Sequence, residues 1–361
     1  MNPSPPVEHG GPDDGPPIAW DFSTNANPLL PAPGLMEALA QADRRHYPDP
    51  RYTALRARLA QHWHADAARV LPTAGSSEAI RRLSLAASLQ GVRDVWVPVP
   101  GYGDYRAAAQ ALGLQVHDYG DAQTLLPALA ASNRPMLVWL CEPCNPTGQS
   151  LPPEFWGELA ATMAARPELI VALDRAYEPL RLQGDDPVPH HLARQCWQLW
   201  SPNKALGLTG VRAGAMLAPD QGHEQWLAAL AALAPSWVLS AEGVALWQAW
   251  CEAPTQAWLH QARTTLRAWR DEQQAMLSSM GWQIQPSVTP FFLTRPSAPA
   301  WPDAGARQAW LQALRTQGIK WRDANSLGLP GWWRLSTQGP QARLALQRAL
   351  EHSARHWKDA A

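Results

Sequence analysis

The stretch Ser201-Pro-Asn-Lys-Ala-Leu-Gly-Leu-Thr-Gly-Val-Arg-Ala-Gly214 holds the residues with the clearest chemical potential. Lys204 sits on a Gly-rich connection between two apolar runs, 196–200 and 213–218, that read as strands. A lysine enclosed there by small residues is open to desolvation. That lowers its pKa and makes its amine a nucleophile toward an aldehyde. Ser201 and Arg212 flank it with a hydroxyl and a fixed cation, a pairing suited to a phosphate. A lone lysine in a glycine loop is ordinarily a surface residue, but the ordered set Ser, Lys, Gly, Gly, Arg, Gly is far less expected by chance.

Other residues gain meaning beside that stretch. Asp174 ends the apolar run 169–174, at the carboxyl end of a strand, where ligands bind in open α/β sheets; alone it could equally cap a helix. Gly75 followed by Ser76, Ser77 and Glu78 reads as a helix start whose free N–H groups form an anion site, or as an ordinary cap. Tyr102, just past the strand 94–99, could stack on a flat heterocycle or fill a core. Asn145-Pro-Thr-Gly148 is a turn on physical grounds alone. Arg322 and Arg334 lie in short strands, where each alone reads as a solvated charge. Cys141-Glu-Pro-Cys144 is a C-x-x-C without a second pair, a weak metal or redox signal.

Positioning these groups needs a regular frame. Helical spacing runs over 35–45, 52–63, 77–90 and 224–274, the last including a long helix at 257–274, and again over 304–317 and 338–354. Short apolar strands are expected at 94–99, 115–119, 136–140, 169–174, 282–286, 291–294, 320–322 and 332–336. Strands alternating with helices predict an α/β domain, followed by a small α+β unit. The expected division is an amino-terminal arm at 1–35, a large domain at 36–255 and a small carboxy-terminal domain at 256–361.

The 361 residues, 46% hydrophobic, suffice for about two domains. A net charge of −1 gives no reason to expect nucleic acid or an anionic membrane as partner. Twenty Trp against six Tyr and four Phe imply that Trp replaces the usual core aromatics. Four Cys make no disulfide framework in a chain this long. The first residues have neither a basic nor an apolar leader region, and no apolar run reaches spanning length, so a cytoplasmic protein is expected.

The segment from Ser201 to Gly214 resembles the lysine motif of fold-type I, class I/II aminotransferases, which use pyridoxal 5′-phosphate. The resemblance implies a mostly parallel seven-stranded sheet between helices plus a small carboxy-terminal α+β domain. It implies that Lys204 carries the cofactor covalently, that Gly75, Ser76, Ser77, Ser201 and Arg212 hold its phosphate, and that Tyr102 lies over its ring. Asn145 and Tyr177 would bond the 3′ oxygen, and Asp174 the protonated ring nitrogen. Tyr47 would reach the phosphate of a partner subunit, which implies a homodimer. Two positions depart from the pattern: Asn203 stands where Ser or Thr is usual, and Arg175 replaces Glu and is expected to point away from the ring.

The arm is more specific. His9-Gly-Gly11 followed by Asp21-Phe-Ser-Thr-Asn-Ala-Asn-Pro-Leu29 resembles the threonine-phosphate decarboxylase branch of cobalamin biosynthesis. That branch converts O-phospho-L-threonine to (R)-1-aminopropan-2-yl phosphate and CO2. His9, Asn27, Arg322 and Arg334 are then the expected substrate contacts. The alternative from the same family is a histidinol-phosphate aminotransferase. A third class, a non-catalytic sensor module of a transcription regulator, would need a DNA-binding domain ahead of residue 35, for which the arm leaves no room.

Overall fold

The computed structural model describes residues 9–222, 224–297 and 304–358; the first eight residues of the expected arm lie outside them. In chain order the strands are β1 (Trp20–Asp21), β2 (Val70–Thr73), β3 (Asp94–Pro98), β4 (Gln115–Tyr119), β5 (Met136–Cys141), β6 (Leu169–Asp174), β7 (Trp197–Trp200), β8 (Gly214–Leu217), β9 (Trp282–Ile284), β10 (Phe291–Pro296), β11 (Ile319–Lys320), β12 (Arg322–Asp323) and β13 (Trp333–Ser336). The large sheet has seven strands in the order β2-β8-β7-β6-β5-β3-β4. Only β8 runs against its neighbours.

Strands covered on both faces read as continuous apolar runs rather than alternating ones, which is why β5 (MLVWLC) and β6 (LIVALD) are so uniformly hydrophobic. Their side chains nonetheless alternate between two cores. Leu137, Trp139 and Cys141 pack with the helices Ser76–Leu89 and Gly103–Ala111 on one face. Met136, Val138 and Leu140 pack with the helix Pro153–Ala165 on the other. A third core joins the helices Thr53–Trp63 and Ala241–Trp250 to β2 and β8.

The direction of β8 matters for the site. The parallel strands β3, β5, β6 and β7, with β2, all end at one edge of the sheet. Because β8 is antiparallel, Arg212 and Ala213, which precede it, arrive at that same edge.

The helix Ala253–Ser279 leads into the C-terminal domain, a four-stranded antiparallel sheet β12-β13-β10-β9. Its core is built from indoles: Trp310 lies 5.2 Å from Trp321 and 5.4 Å from Trp333, centroid to centroid. The arm joins this domain as a strand, β1 pairing in parallel with β11, and Phe22 is buried in the same core.

Several elements differ from expectation for local reasons. The first helix stops at Ala40, where the Arg44 guanidinium donates to the carbonyls of Leu39 and Ala40. The pattern at 224–274 is three helices, with Ser240 capping the second through the Gly243 N–H. The expected strand 320–322 is split: β11 pairs with the arm, β12 with β13, and Trp321 between them turns into the core. The helix Ala122–Ala131 is hidden in the sequence by Pro127 inside it; Asp121 caps it by accepting from the Thr124 N–H at 2.8 Å.

One buried ion pair braces the loop after β5. Glu142 is fully buried; it accepts from Arg181 at 2.7 Å and from the Leu151 N–H at 2.8 Å. Arg181 also reaches Glu178 and Ser150. Glu142→Ala removes the buried carboxylate but leaves Arg181 paired with Glu178, so it is expected to cost about 1–3 kcal/mol of unfolding free energy in a urea titration. A cost under about 1 kcal/mol, the range of exposed pairs, would show that water reaches this pair.

Candidate active site

The edge where the strands end opens into a cavity of about 290 Å3 lined by residues from the arm, the large sheet and the C-terminal domain. Lys204 lines it from the short helix Pro202–Ala205 that follows β7. The residue is half-buried, and its amine lies 5.5 Å from the centre of the Tyr177 ring. Burial pushes the Lys204 ammonium below the ordinary lysine pKa, and the Asp174 charge opposes that shift.

Asp174, at the end of β6, is 4% exposed. One carboxylate oxygen accepts from the Ala176 N–H at 2.9 Å and the other from the Tyr105 hydroxyl at 2.8 Å. Burial raises its pKa; the Lys204 charge and the two hydrogen bonds pull the other way. Arg175 turns away from this cavity. Its guanidinium lies 5.2 Å from the Trp200 ring centre and pairs with Asp186.

Hydroxyls, backbone N–H groups and one cation gather at the other end. Gly75 precedes the helix Ser76–Leu89, and Ser76 Oγ lies 2.8 Å from Ser201 Oγ. Arg212 donates to the carbonyls of Thr209 and Ala74, at 3.1 and 3.4 Å. Gly75 has φ +95°, and a Cβ there would lie 2.4 Å from the Arg212 guanidinium. A Cβ on Gly214 would lie 2.7 Å from the Gly75 Cα. Gly75 is required by its left-handed backbone and Gly214 by close approach to the Gly75 backbone, and the result is a cradle for an anion at a helix N-terminus. Ser77 Oγ is 3.0 Å from the Tyr102 hydroxyl, which donates to Asp104 at 2.8 Å.

The opposite wall is cationic. Arg322 and Arg334 are direct cross-strand partners of β12 and β13. Arg334 donates to Asn145 Oδ1 at 2.7 Å and to the Ser23 carbonyl at 2.6 Å; burial pushes its pKa down to about 10. Arg322 donates to Ser326 Oγ at 2.7 Å. From the arm, His9, Gly10, Gly11, Ser23, Thr24 and Asn25 line the cavity, and His9 Nε2 is 3.9 Å from Asp104.

Thus Gly75 stands behind a cavity wall formed by His9, Ser76, Ser77, Tyr102, Asn145, Asp174, Tyr177, Lys204, Arg212, Arg322 and Arg334, with Ser201 bonded to Ser76. Two expected residues lie elsewhere. Asn27 is 3% exposed and is absorbed by backbone: its N–H donates to the Lys204 carbonyl, its amide to the Ala205 carbonyl. It fastens the lysine segment, and Asn25 faces the cavity in its place. Tyr47 is 76% exposed and stacks on Trp237 at 4.1 Å, outside this chain's cavity. Asn203, where Ser or Thr is usual, is buried and directs its amide to the Val211 carbonyl at 3.3 Å. Tyr105, Asn25 and Thr209 also line the cavity; each lies within a stretch the sequence pointed to, 100–105, 21–29 or 201–214, but none was singled out there.

A family model of class I and II aminotransferases matches residues 17–351. The chain belongs to that family. It is 28% identical over 303 residues to histidinol-phosphate aminotransferase 1 of Bradyrhizobium diazoefficiens, covering 82% of both chains. It is 29% identical over 353 residues to the histidinol-phosphate aminotransferase of Frankia casuarinae, covering 91% of this chain and 84% of the other. Its fold is shared with L-threonine-O-3-phosphate decarboxylase from Porphyromonas gingivalis: TM-score 0.73, 23% identity, 92% of this chain and 99% of that one. Histidinol-phosphate aminotransferase from Sinorhizobium meliloti in complex with pyridoxal-5′-phosphate superposes with a TM-score of 0.78 at 24% identity, over 94% and 92%.

The cofactor of this class I/II family protein is pyridoxal 5′-phosphate. The residues fit it: an amine of depressed pKa, a buried carboxylate, and an anion cradle that a Cβ would fill. Arg212 supplies the cradle's only side-chain cation among the cavity-lining residues named there. Replacing it with Ala removes a charge-assisted contact, so cofactor affinity is expected to fall roughly ten- to hundredfold. Quenching of the protein's Trp fluorescence on cofactor titration measures this; an unchanged affinity would place the phosphate elsewhere.

Proposed function

We propose that the protein decarboxylates O-phospho-L-threonine to (R)-1-aminopropan-2-yl phosphate and CO2, the reaction of the cobalamin-pathway branch. What supports this reading is the arm. The segments that resemble that branch, His9–Gly11 and Ser23–Asn25, both line the cavity beside the Arg322–Arg334 pair, and Arg334 bonds the Ser23 carbonyl. A substrate with both a phosphate and a carboxylate needs two cationic contacts, and these adjacent arginines supply them.

The bound cofactor supplies an electron sink for the α-carbon. The chain's residues do the rest. Asp174 would hold the ring nitrogen in its protonated form, and Asn145 and Tyr177 would bond the 3′ oxygen. Ser76, Ser77, Ser201 and Arg212 would retain the phosphate, and Tyr102 would lie over the ring. Lys204 would attach the cofactor, and its free amine would serve as the proton carrier. Arg322 and Arg334 set which substrate bond stands across the ring plane, and therefore whether a proton or CO2 leaves.

The second reading is a histidinol-phosphate aminotransferase. The curated relatives at 28% and 29% identity favour it. Incubation with phosphothreonine alone is expected to release CO2 stoichiometrically with amine product. Consumption of histidinol phosphate that depends on 2-oxoglutarate, without CO2 release, would decide for the aminotransferase.

We also propose a cytoplasmic homodimer with composite sites, divided into arm, large domain and small domain as expected from sequence. Tyr47 and Trp237 are both exposed and stack on each other, an apolar pair available to a second copy. Among the described residues no helix is long and apolar enough to cross a membrane. Light scattering is expected to give twice the chain mass; a fully active monomer would refute the composite site.

A further inference from the structure

Tyr105 is fully buried and takes no part in the cofactor contacts named so far. Its ring is fixed from two sides. It stacks on Trp139 of β5, centroids 5.0 Å apart and planes 14° apart, and meets the edge of Tyr102 at 5.7 Å and 85°. The phenol oxygen is therefore held in place, where it donates to Asp174 Oδ2 at 2.8 Å with the Cys141 thiol as a second neighbour. The Ala176 N–H occupies the other carboxylate oxygen. One rigid side chain thus touches both the aromatic expected on the cofactor ring and the carboxylate expected on its nitrogen.

We propose that Tyr105 is a positioning residue for Asp174, holding the carboxylate's plane toward the cavity and supporting its ionised form. The inference rests on the reading of Asp174 as the partner of the ring nitrogen and applies to decarboxylation and transamination alike. Its physical basis is the imbalance around Asp174. Burial favours the neutral acid. The groups facing it are the Lys204 amine after β7, the Cys141 thiol ending β5, the Tyr177 phenol, and Asp104 and Tyr105 from the helix Gly103–Ala111. Of these, Asp104 opposes ionisation, and Lys204 supports it only while protonated. The Tyr105 phenol, its own pKa raised far above the usual value by burial, keeps its proton and donates at every working pH.

The test is a double-mutant cycle on cofactor affinity in the intact protein, read by Trp fluorescence. Tyr105→Phe keeps the stacked ring and removes only the hydroxyl; it is expected to weaken pyridoxal phosphate binding roughly tenfold. In an Asp174→Ala background the same change is expected to have almost no effect, because the phenol's acceptor is gone. In Tyr105→Phe the acid limb of cofactor affinity is expected to move to higher pH, since a carboxylate that loses a donor protonates sooner on acidification. A purely structural ring would give equal losses in both backgrounds and no shift in the limb, and that result overturns the proposal. If Asp174→Ala alone leaves affinity unchanged, the assignment of Asp174 fails first and the role of Tyr105 falls with it.

Discussion

A carboxylate and an amine that water would ionise freely share one enclosed cavity, and each depends on the other's charge. Asp174 ends β6, and Lys204 follows the neighbouring strand β7 on the short helix Pro202–Ala205; the two strands pair in parallel. Without Lys204 nearby, burial would drive Asp174 further toward its neutral form; without Asp174, burial would depress Lys204 further still. The surrounding fold can be read as the means of keeping both groups at one sheet edge and out of bulk solvent.

Sheet topology does most of that work. Parallel strands bring their carboxyl ends together, which gathers Gly75, Tyr102, Asn145, Asp174 and Lys204 from distant parts of the chain. A purely parallel sheet would leave Arg212 at the far edge, because it precedes a strand rather than follows one. Reversing β8 solves this, and the price is a tight meeting of Gly214 with Gly75 where neither tolerates a side chain.

The centre of the large sheet was legible because doubly covered strands are unbroken apolar runs: Leu169–Asp174 agrees with expectation at both ends, as does the more polar edge strand Gln115–Tyr119. The carboxy-terminal strands were less so, since β11 and β12 are two residues each and belong to different sheets. No periodicity can mark a two-residue strand. In the arm, the composition at 21–29 pointed to the cavity but not to the right asparagine. Asn25 and Asn27 are chemically identical, and only the backbone partners around Lys204 and Ala205 decide which one is consumed structurally. Tyr105 was equally hidden, because a core tyrosine and one that donates to a carboxylate look the same until Trp139 is known to lie behind it.

The arm's docking bears on reaction choice. Arg334 bonds at once to Asn145 on the large-sheet loop and to the Ser23 carbonyl of the arm, so three parts of the chain meet in one guanidinium. Asp13 on the same arm pairs with Arg315 and Lys320 of the C-terminal domain, and Asp21 closes a turn by accepting from Ser23 and Thr24. The arm is therefore held as firmly as a strand of the domain it covers. A substrate anion that engages Arg334 must compete with, or share, bonds that also set the arm's position. The cationic wall and the arm are thus tied through one guanidinium, and residues far from Lys204 in sequence shape the cavity it lines.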